Sequence, residues 1–252
     1  NFDKYYKIAM EATARASNFL RDNYGQIKEM THKTGTHFGI DDIISNRIIE
    51  EYLRSQTPEV AIYSEEGERN LESELVWIID PIDGTSNYRV GIPMFVTQLC
   101  LLSNGEPVVS VIEVPMFDLV FSAQKGRGSY LNGEKITVSE VSEINKAMFG
   151  FNKGSSNADV GKYISKLGSK VRTIRIYGAM GIDLSYVAAG KLDALINSGS
   201  DIYDYAPGVL LVREAGGVAV NFDGDDWTFK DKTLLAINPK LVSQILTILK
   251  DQ

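Results

Sequence analysis

A single cysteine, Cys100, excludes an internal disulfide, and its place in the apolar run Phe95 to Leu102 marks a core residue rather than a nucleophile. No apolar run approaches the ~20 residues that a bilayer-spanning helix needs. The start, Asn1-Phe2-Asp3-Lys4, lacks a charged-then-apolar secretory pattern, so the expectation is a cytoplasmic protein with no membrane partner. Basic charge is also short: 26 Lys and Arg stand against 33 Asp and Glu, a formal net charge of -7. That balance argues against a nucleic-acid partner, whose backbone demands a basic surface, and leaves small phosphorylated ligands open. Only 2 histidines occur, His32 and His37, both in a polar loop away from the acidic motifs described below. Their position argues against zinc and against a catalytic triad. There is no internal repeat, low-complexity tract or obvious linker.

What the chain does have is bulk: 252 residues with 44% hydrophobic content, enough for a sizeable core in one large domain or two tightly joined lobes. From Tyr5 to Tyr24, apolar or small residues recur at Tyr5, Ala9, Ala12, Ala16, Phe19 and Leu20, one stripe along a helix that Gly25 ends. Ile44, Ile48, Ile49, Tyr52 and Leu53 predict a second helix, with Asp41 or Asp42 placed to cap its first turn. The period then changes. Val76 to Ile79, Phe95 to Leu102, Val108 to Val114 and Leu119 to Ala123 are short β-rich runs, with Asn104-Gly105 and Asn132-Gly133 as hairpin turns. Beyond residue 140 strands are expected at Val171 to Ile176, Ala194 to Ile196, Val218 to Val220 and Leu234 to Ile237. Helices Ile182 to Ala189 and Tyr205 to Ala215, each stopped by glycine, alternate with them.

Three segments carry acids suited to chemistry. Asp80-Pro81-Ile82-Asp83-Gly84-Thr85 follows an expected strand, where two carboxylates can leave the sheet edge together. Pro81 fixes the backbone between them, and Gly84 leaves room for a phosphate to reach the Gly84 and Thr85 amides. Taken alone, such a pair is also what an aspartate-rich turn contains. Glu65 emerges from the apolar stretch Val60 to Tyr63, as a strand-end acid or part of a solvated loop. Asp204 opens the helix ahead of Ala206-Pro207-Gly208, where it is equally placed to be an N-cap. Gly126-Arg127-Gly128 lacks the third glycine of a dinucleotide fingerprint and reads as a turn between strands.

Together, Glu65-Glu66, the Asp80 to Thr85 hexapeptide, and Asp204 to Gly208 followed by Glu214-Ala215-Gly216-Gly217 resemble the signatures of the inositol monophosphatase family, spaced as that family spaces them. The resemblance covers nearly the whole chain. Gly35 to Leu53, Ile92-Pro93 and Ile176 to Gly181 are most similar to the archaeal type, which hydrolyses both inositol monophosphate and fructose 1,6-bisphosphate. The resemblance implies an α/β, or α+β, layered α-β-α-β-α sandwich. A largely antiparallel N-terminal lobe (1–140) would carry most metal ligands, and a smaller α/β lobe (141–252) would complete the site. Many relatives are homodimers, so a homodimer is expected.

By the same resemblance, Glu65, Asp80, Asp83, Asp204 and the carbonyl of Ile82 hold two or three Mg²⁺, a hard ion suited to oxygen ligands. The implied reaction is in-line attack of a metal-activated water on a small phosphorylated polyol or sugar, without a phosphoenzyme. Thr85 would orient that water together with Asp42, which is alternatively only a helix cap. Asp83, Gly84, Thr85, Gly178, Ala179 and Met180 would contact substrate. Arg172 and Arg175, on an expected strand, would either reach a second phosphate or form a solvated basic face. Thr36 and Phe38 stand where the family usually shows an aspartate and a threonine, and Asn197 where inositol-specific members carry a glutamate. These departures are what a non-catalytic, metal-dependent regulator on the same fold would also display. The loop His32 to Gly39 is expected to act as a lid.

Overall fold

The computed structural model describes residues 2–25, 39–152 and 159–250. His32, His37, Thr36, Phe38 and the expected lid, apart from Gly39, lie outside the described residues. Helix α1 (Asp3–Asn23) buries the stripe Ile8, Ala9, Ala12, Ala16 and Leu20. Helix α2 (Ile40–Gln56) lies beside it. A first sheet then runs in chain order through β1 (Ala61–Ser64), β2 (Leu75–Asp83), β3 (Val96–Ser103), β4 (Glu106–Val114), β5 (Leu119–Gln124), β6 (Gly128–Leu131) and β7 (Glu134–Ile136). A short helix, α3 (Thr85–Arg89), follows β2. Only β1 and β2 pair in parallel; the other neighbours in this sheet are antiparallel. The two Asn-Gly turns form as read, with φ +50 and +79 at Asn104-Gly105 and +50 and +82 at Asn132-Gly133.

The second sheet, ordered β11-β12-β10-β8-β9, draws on β8 (Met148–Phe151), β9 (Thr173–Arg175), β10 (Ala194–Ser198), β11 (Val218–Val220) and β12 (Thr233–Ile237). Helices α4 (Asp159–Leu167), α5 (Met180–Ala188), α6 (Ile202–Glu214) and α7 (Val242–Lys250) are threaded between and after them. Alternation along β2 sets the layers. Trp77 and Ile79 point into a core shared with α1 and α2, whereas Val76 and Ile78 point into one shared with α5 and α6. The reverse side of α5 and α6 meets β10 and β12, and α4 and α7 cover the outer face of the second sheet. The sandwich is therefore α-β-α-β-α, as expected.

Several elements differ from the sequence reading. The strand expected at Val171 to Ile176 shrinks to Thr173–Arg175, and β8 carries no turn-bounded signal strong enough to stand out. Helix α6 starts at Ile202 with Asp201 as its N-cap. Asp204 therefore lies inside the first turn, where its carboxylate accepts from the Asp201 amide and closes a capping box instead of standing at the N-cap itself. The Gly126 to Gly128 turn joins β5 to β6, and the amides of Gly126 and Gly128 each donate to the Glu214 carboxylate at 2.8 Å. Its anion is the protein's own.

Candidate active site

Asp80 and Asp83 are three residues apart, a spacing that puts side chains on opposite faces of a regular strand. The strand is not regular. Asp80 pairs with Gln98 and Asp83 with Val96, so β2 carries one extra residue between them, a bulge at Pro81-Ile82. The hexapeptide therefore does not follow a strand, as the sequence suggested, but closes β2 from within. Pro81 has no N–H to lose from the ladder, and its carbonyl accepts from Thr97 Oγ1 at 3.0 Å and Ser45 Oγ at 3.4 Å. The bulge turns both carboxylates to one side.

The chain leaves β2 through Gly84, whose φ of +88 disfavours any side chain. A Cβ there would also stand 2.9 Å from the Met94 carbonyl and 3.0 Å from Ala179 Cβ, so close packing, besides phosphate access, accounts for this glycine.

Glu65 arrives by the parallel pairing of β1 with β2. Ser64 sits opposite Ile79 and Glu65 N donates to the Ile79 carbonyl at 3.1 Å, which places Glu65 beside Asp80. Asp204 comes from α6, where its Oδ2 accepts from Asp201 N at 2.9 Å. Asp80, Asp83 and Asp204 each bring a carboxylate oxygen within 4.8 Å of the others. Glu65 stands outside that trio, with its carboxyl in hydrogen-bonding reach of Asp80. Ile82 is buried, and its carbonyl accepts from Thr85 Oγ1 at 2.8 Å.

Two carboxylates 4.8 Å apart repel by about 3 kcal/mol at an effective dielectric of about 20. Accordingly, burial raises Asp80 and Asp204 well above the usual carboxylate range, with neighbouring acids adding to it. Burial also lifts Glu65 to about 7 and the adjacent Glu66 to about 8. Asp83 rises only to about 6, because the backbone N–H groups of Gly181, Met180 and Gly84 point at its carboxylate. The Gly84 amide, expected at a phosphate, thus serves Asp83 here. Asp80 Oδ2 accepts from Gln98 Nε2 at 3.1 Å, but its buried Oδ1 has no donor among the described residues. A buried oxygen without a donor, on a carboxylate grouped with two others, is where a cation would bind. The all-oxygen donor set fits a hard divalent ion.

Asp42 lies in the first turn of α2 and does two things. Its Oδ2 accepts from Gly39 N at 3.1 Å, closing the helix end, and its Oδ1 accepts from Thr85 Oγ1 at 3.1 Å. Helix cap and Thr85 partner are therefore combined in one carboxylate. Asp41 is occupied elsewhere, accepting from Tyr88 OH at 2.9 Å.

Beside the acids opens a cleft of about 530 Å³, lined by Asp83, Gly84, Thr85, Gly178, Met180 and Asp204, all singled out from the sequence. Tyr203, next to Asp204 in the same segment, lines it too, as do Asn152, Ser86, Ser200, Asp201 and Lys232, which no motif announced. Ala179 is buried beneath the lining. Asn87 clamps this wall, its Nδ2 donating to the carbonyls of Met94 and Tyr177 at 2.7 Å each. Arg172 and Arg175 are exposed and outside the lining, and Arg175 Nη1 donates to Thr173 Oγ1 and the Ile174 carbonyl. Three positions apart, one within β9 and one before it, they do not share a strand face. Asn197 is buried in β10, its amide donating to the Asn152 carbonyl at 2.8 Å and its oxygen accepting from Tyr205 OH. It is spent inside the fold.

A five-layer sandwich whose strand ends gather buried carboxylates at a polar cleft defines the metal-binding phosphatases built on this architecture. The chain belongs to the inositol monophosphatase family, whose profile matches residues 1–251. It is 34% identical over 227 residues to the Nus factor SuhB of Xylella fastidiosa, covering 87% of this chain and 82% of that protein. It is 29% identical over 249 residues to a fructose-1,6-bisphosphatase/inositol-1-monophosphatase of Thermotoga maritima, covering 97% and 95%. The solved IMPase of Thermotoga maritima superposes with a TM-score of 0.90 at 28% identity, over 96% of this chain and 95% of that one.

Proposed function

We propose that this protein is a Mg²⁺-dependent phosphomonoesterase acting on inositol monophosphate, with fructose 1,6-bisphosphate as a further substrate. The observation that carries the reading is the trio Asp80, Asp83 and Asp204 within 4.8 Å, one buried oxygen without a donor, at the edge of the cleft. Glu65, Asp80, Asp83, Asp204 and the Ile82 carbonyl would hold the ions. When bound, Mg²⁺ supplies neutralising charge for the phosphoryl group and lowers the pKa of a coordinated water.

The chain's own residues supply position and a proton path. Thr85 Oγ1 donates to Asp42 Oδ1 or to the Ile82 carbonyl, so its lone pairs face outward to accept from a water in the cleft. Burial raises Asp42 above its ordinary range, which makes it a better proton acceptor at the end of the path from water through Thr85. The water oxygen bonds to phosphorus as the bond to the polyol oxygen breaks, and the departing polyol oxygen takes up a proton from solvent in the open cleft. Gly178 and Met180 flank the polyol. The site lies between the lobes 1–140 and 141–252, and the protein acts as a homodimer.

The test is phosphate release from inositol 1-phosphate and fructose 1,6-bisphosphate, with Mg²⁺ and with a chelator. Release with Mg²⁺ that stops on chelation is the expected result. No release from either substrate would overturn it and favour a non-catalytic regulator, in line with the name of the Xylella relative.

A further inference from the structure

Hydrolysis of a monophosphate leaves one charged group of the cleft unused. Lys232, just before β12, is the single cation among the described residues that line it. Its backbone is pinned, since its carbonyl accepts from Gly199 N at 2.7 Å and lies 3.2 Å from Tyr205 OH. The side chain therefore starts from a fixed point on the cleft wall. Its Nζ meets Asp201 Oδ1 at 2.9 Å, with the lysine side chain 66% exposed. Asp201 is the N-cap of α6, and its N–H holds the Asp204 carboxylate, so the ammonium is tied to the helix end that carries a member of the acidic trio.

An ammonium has three N–H donors, and among the described residues the Asp201 carboxylate takes one of them. So exposed an ion pair adds little to stability, and the fold does not account for a cation at this point. A substrate with two phosphates brings a second charge of about -1.5 to -2 into a cleft whose other charged walls are the carboxylates of Asp83, Asp201 and Asp204. Apart from Lys232, every charged side chain that second group would meet in the lining is a carboxylate. The exposed Arg172 and Arg175 lie outside the lining. A volume of about 530 Å³ lies in the range of small-ligand sites and admits a sugar bisphosphate.

Building on the phosphatase reading above, we propose that Lys232 is a specificity-determining residue that receives the second, unreacting phosphate of a sugar bisphosphate, bridging it to Asp201. The test uses the full chain with Mg²⁺ and compares wild type, Lys232→Met, which keeps the aliphatic stem, and Lys232→Arg. For each, kcat and KM are measured on fructose 1,6-bisphosphate and inositol 1-phosphate, with melting temperature as the check on folding. The ratio of kcat/KM for bisphosphate over monophosphate should fall about tenfold in Lys232→Met, carried by KM. Lys232→Arg should recover most of the loss. An unchanged ratio in Lys232→Met, or a wild type that turns over only the monophosphate, would overturn the role of Lys232 and leave the phosphatase reading standing. A wild type inert on both substrates would overturn both.

Discussion

The two halves of β2 are equally buried and opposite in chemistry. Val76 to Ile79 send alternate side chains into two apolar cores, each contributing about 1.5–3 kcal/mol by leaving water. Asp80 to Asp83 break the register with a bulge and bring two carboxylates to a third, with an oxygen left unsatisfied. Burial stabilises the fold in the first half and opposes it in the second. The difference teaches that the acids do not collect because they attract one another. They are held together by the packing of the strand that carries them, and a cation is what would reverse the sign of the second half.

The sharpest way to break that comparison is Asp80→Asn. Losing a metal ligand should lower Mg²⁺-dependent turnover by about 1000-fold, since a catalytic metal contributes several kcal/mol and each 1.4 kcal/mol is tenfold. The metal-free variant should melt no lower than wild type, because an acid whose ionisation burial opposes has gone while Gln98 keeps its acceptor. Near-normal turnover, or a collapse of the fold, would mean that the acid half is structural. Ile78→Ala probes the other half. It should cost about 3 kcal/mol in urea unfolding, from lost transfer energy and the cavity left behind, while turnover per folded molecule holds. Loss of turnover without loss of stability would erase the distinction between the halves.

Much of this division was legible in the sequence because it is local. The short β-rich run Val76 to Ile79, the stripe of α1 and the Asn-Gly turns each depend on neighbours a few residues away, and each formed as read. The acids were legible as a motif, but the geometry uniting them was not. Nothing near Glu65 announces that β1 pairs in parallel with β2, and nothing between Asp80 and Asp83 announces a bulge. Both follow from packing across the sheet. The same holds for Asn197, which resembles a substrate position but is taken up by Tyr205 and Asn152. Lys232 and Asn152 reach the cleft from strand ends far along the chain, with no spacing to betray them. Arg172 and Arg175 looked available because β9 was expected to be longer than it is.

The smallest expected effect is also the most direct reading of the strain in the acid half. Glu65 is raised from 4.5 to about 7 and Asp83 from 3.8 to about 6, in both cases chiefly by burial. The unfolded chain releases these protons near the ordinary values, whereas the folded protein keeps them to higher pH. Between about pH 4 and 7 the folded state therefore binds more protons than the unfolded state, and stability falls as pH rises, opposite to the usual behaviour of paired carboxylates. Exposed Glu106 and half-buried Asp231 are held low and push the other way, so chelated and Mg²⁺-loaded protein must be compared at each pH. In chelator, the melting temperature should be a few degrees lower at pH 8 than at pH 5. With saturating Mg²⁺ the gap should close or invert, because the ion takes the place of the protons and binds more tightly as they leave. A gap that is the same with and without Mg²⁺ would place the titration elsewhere in the molecule, and the acid half of β2 would then be no more strained than the apolar half.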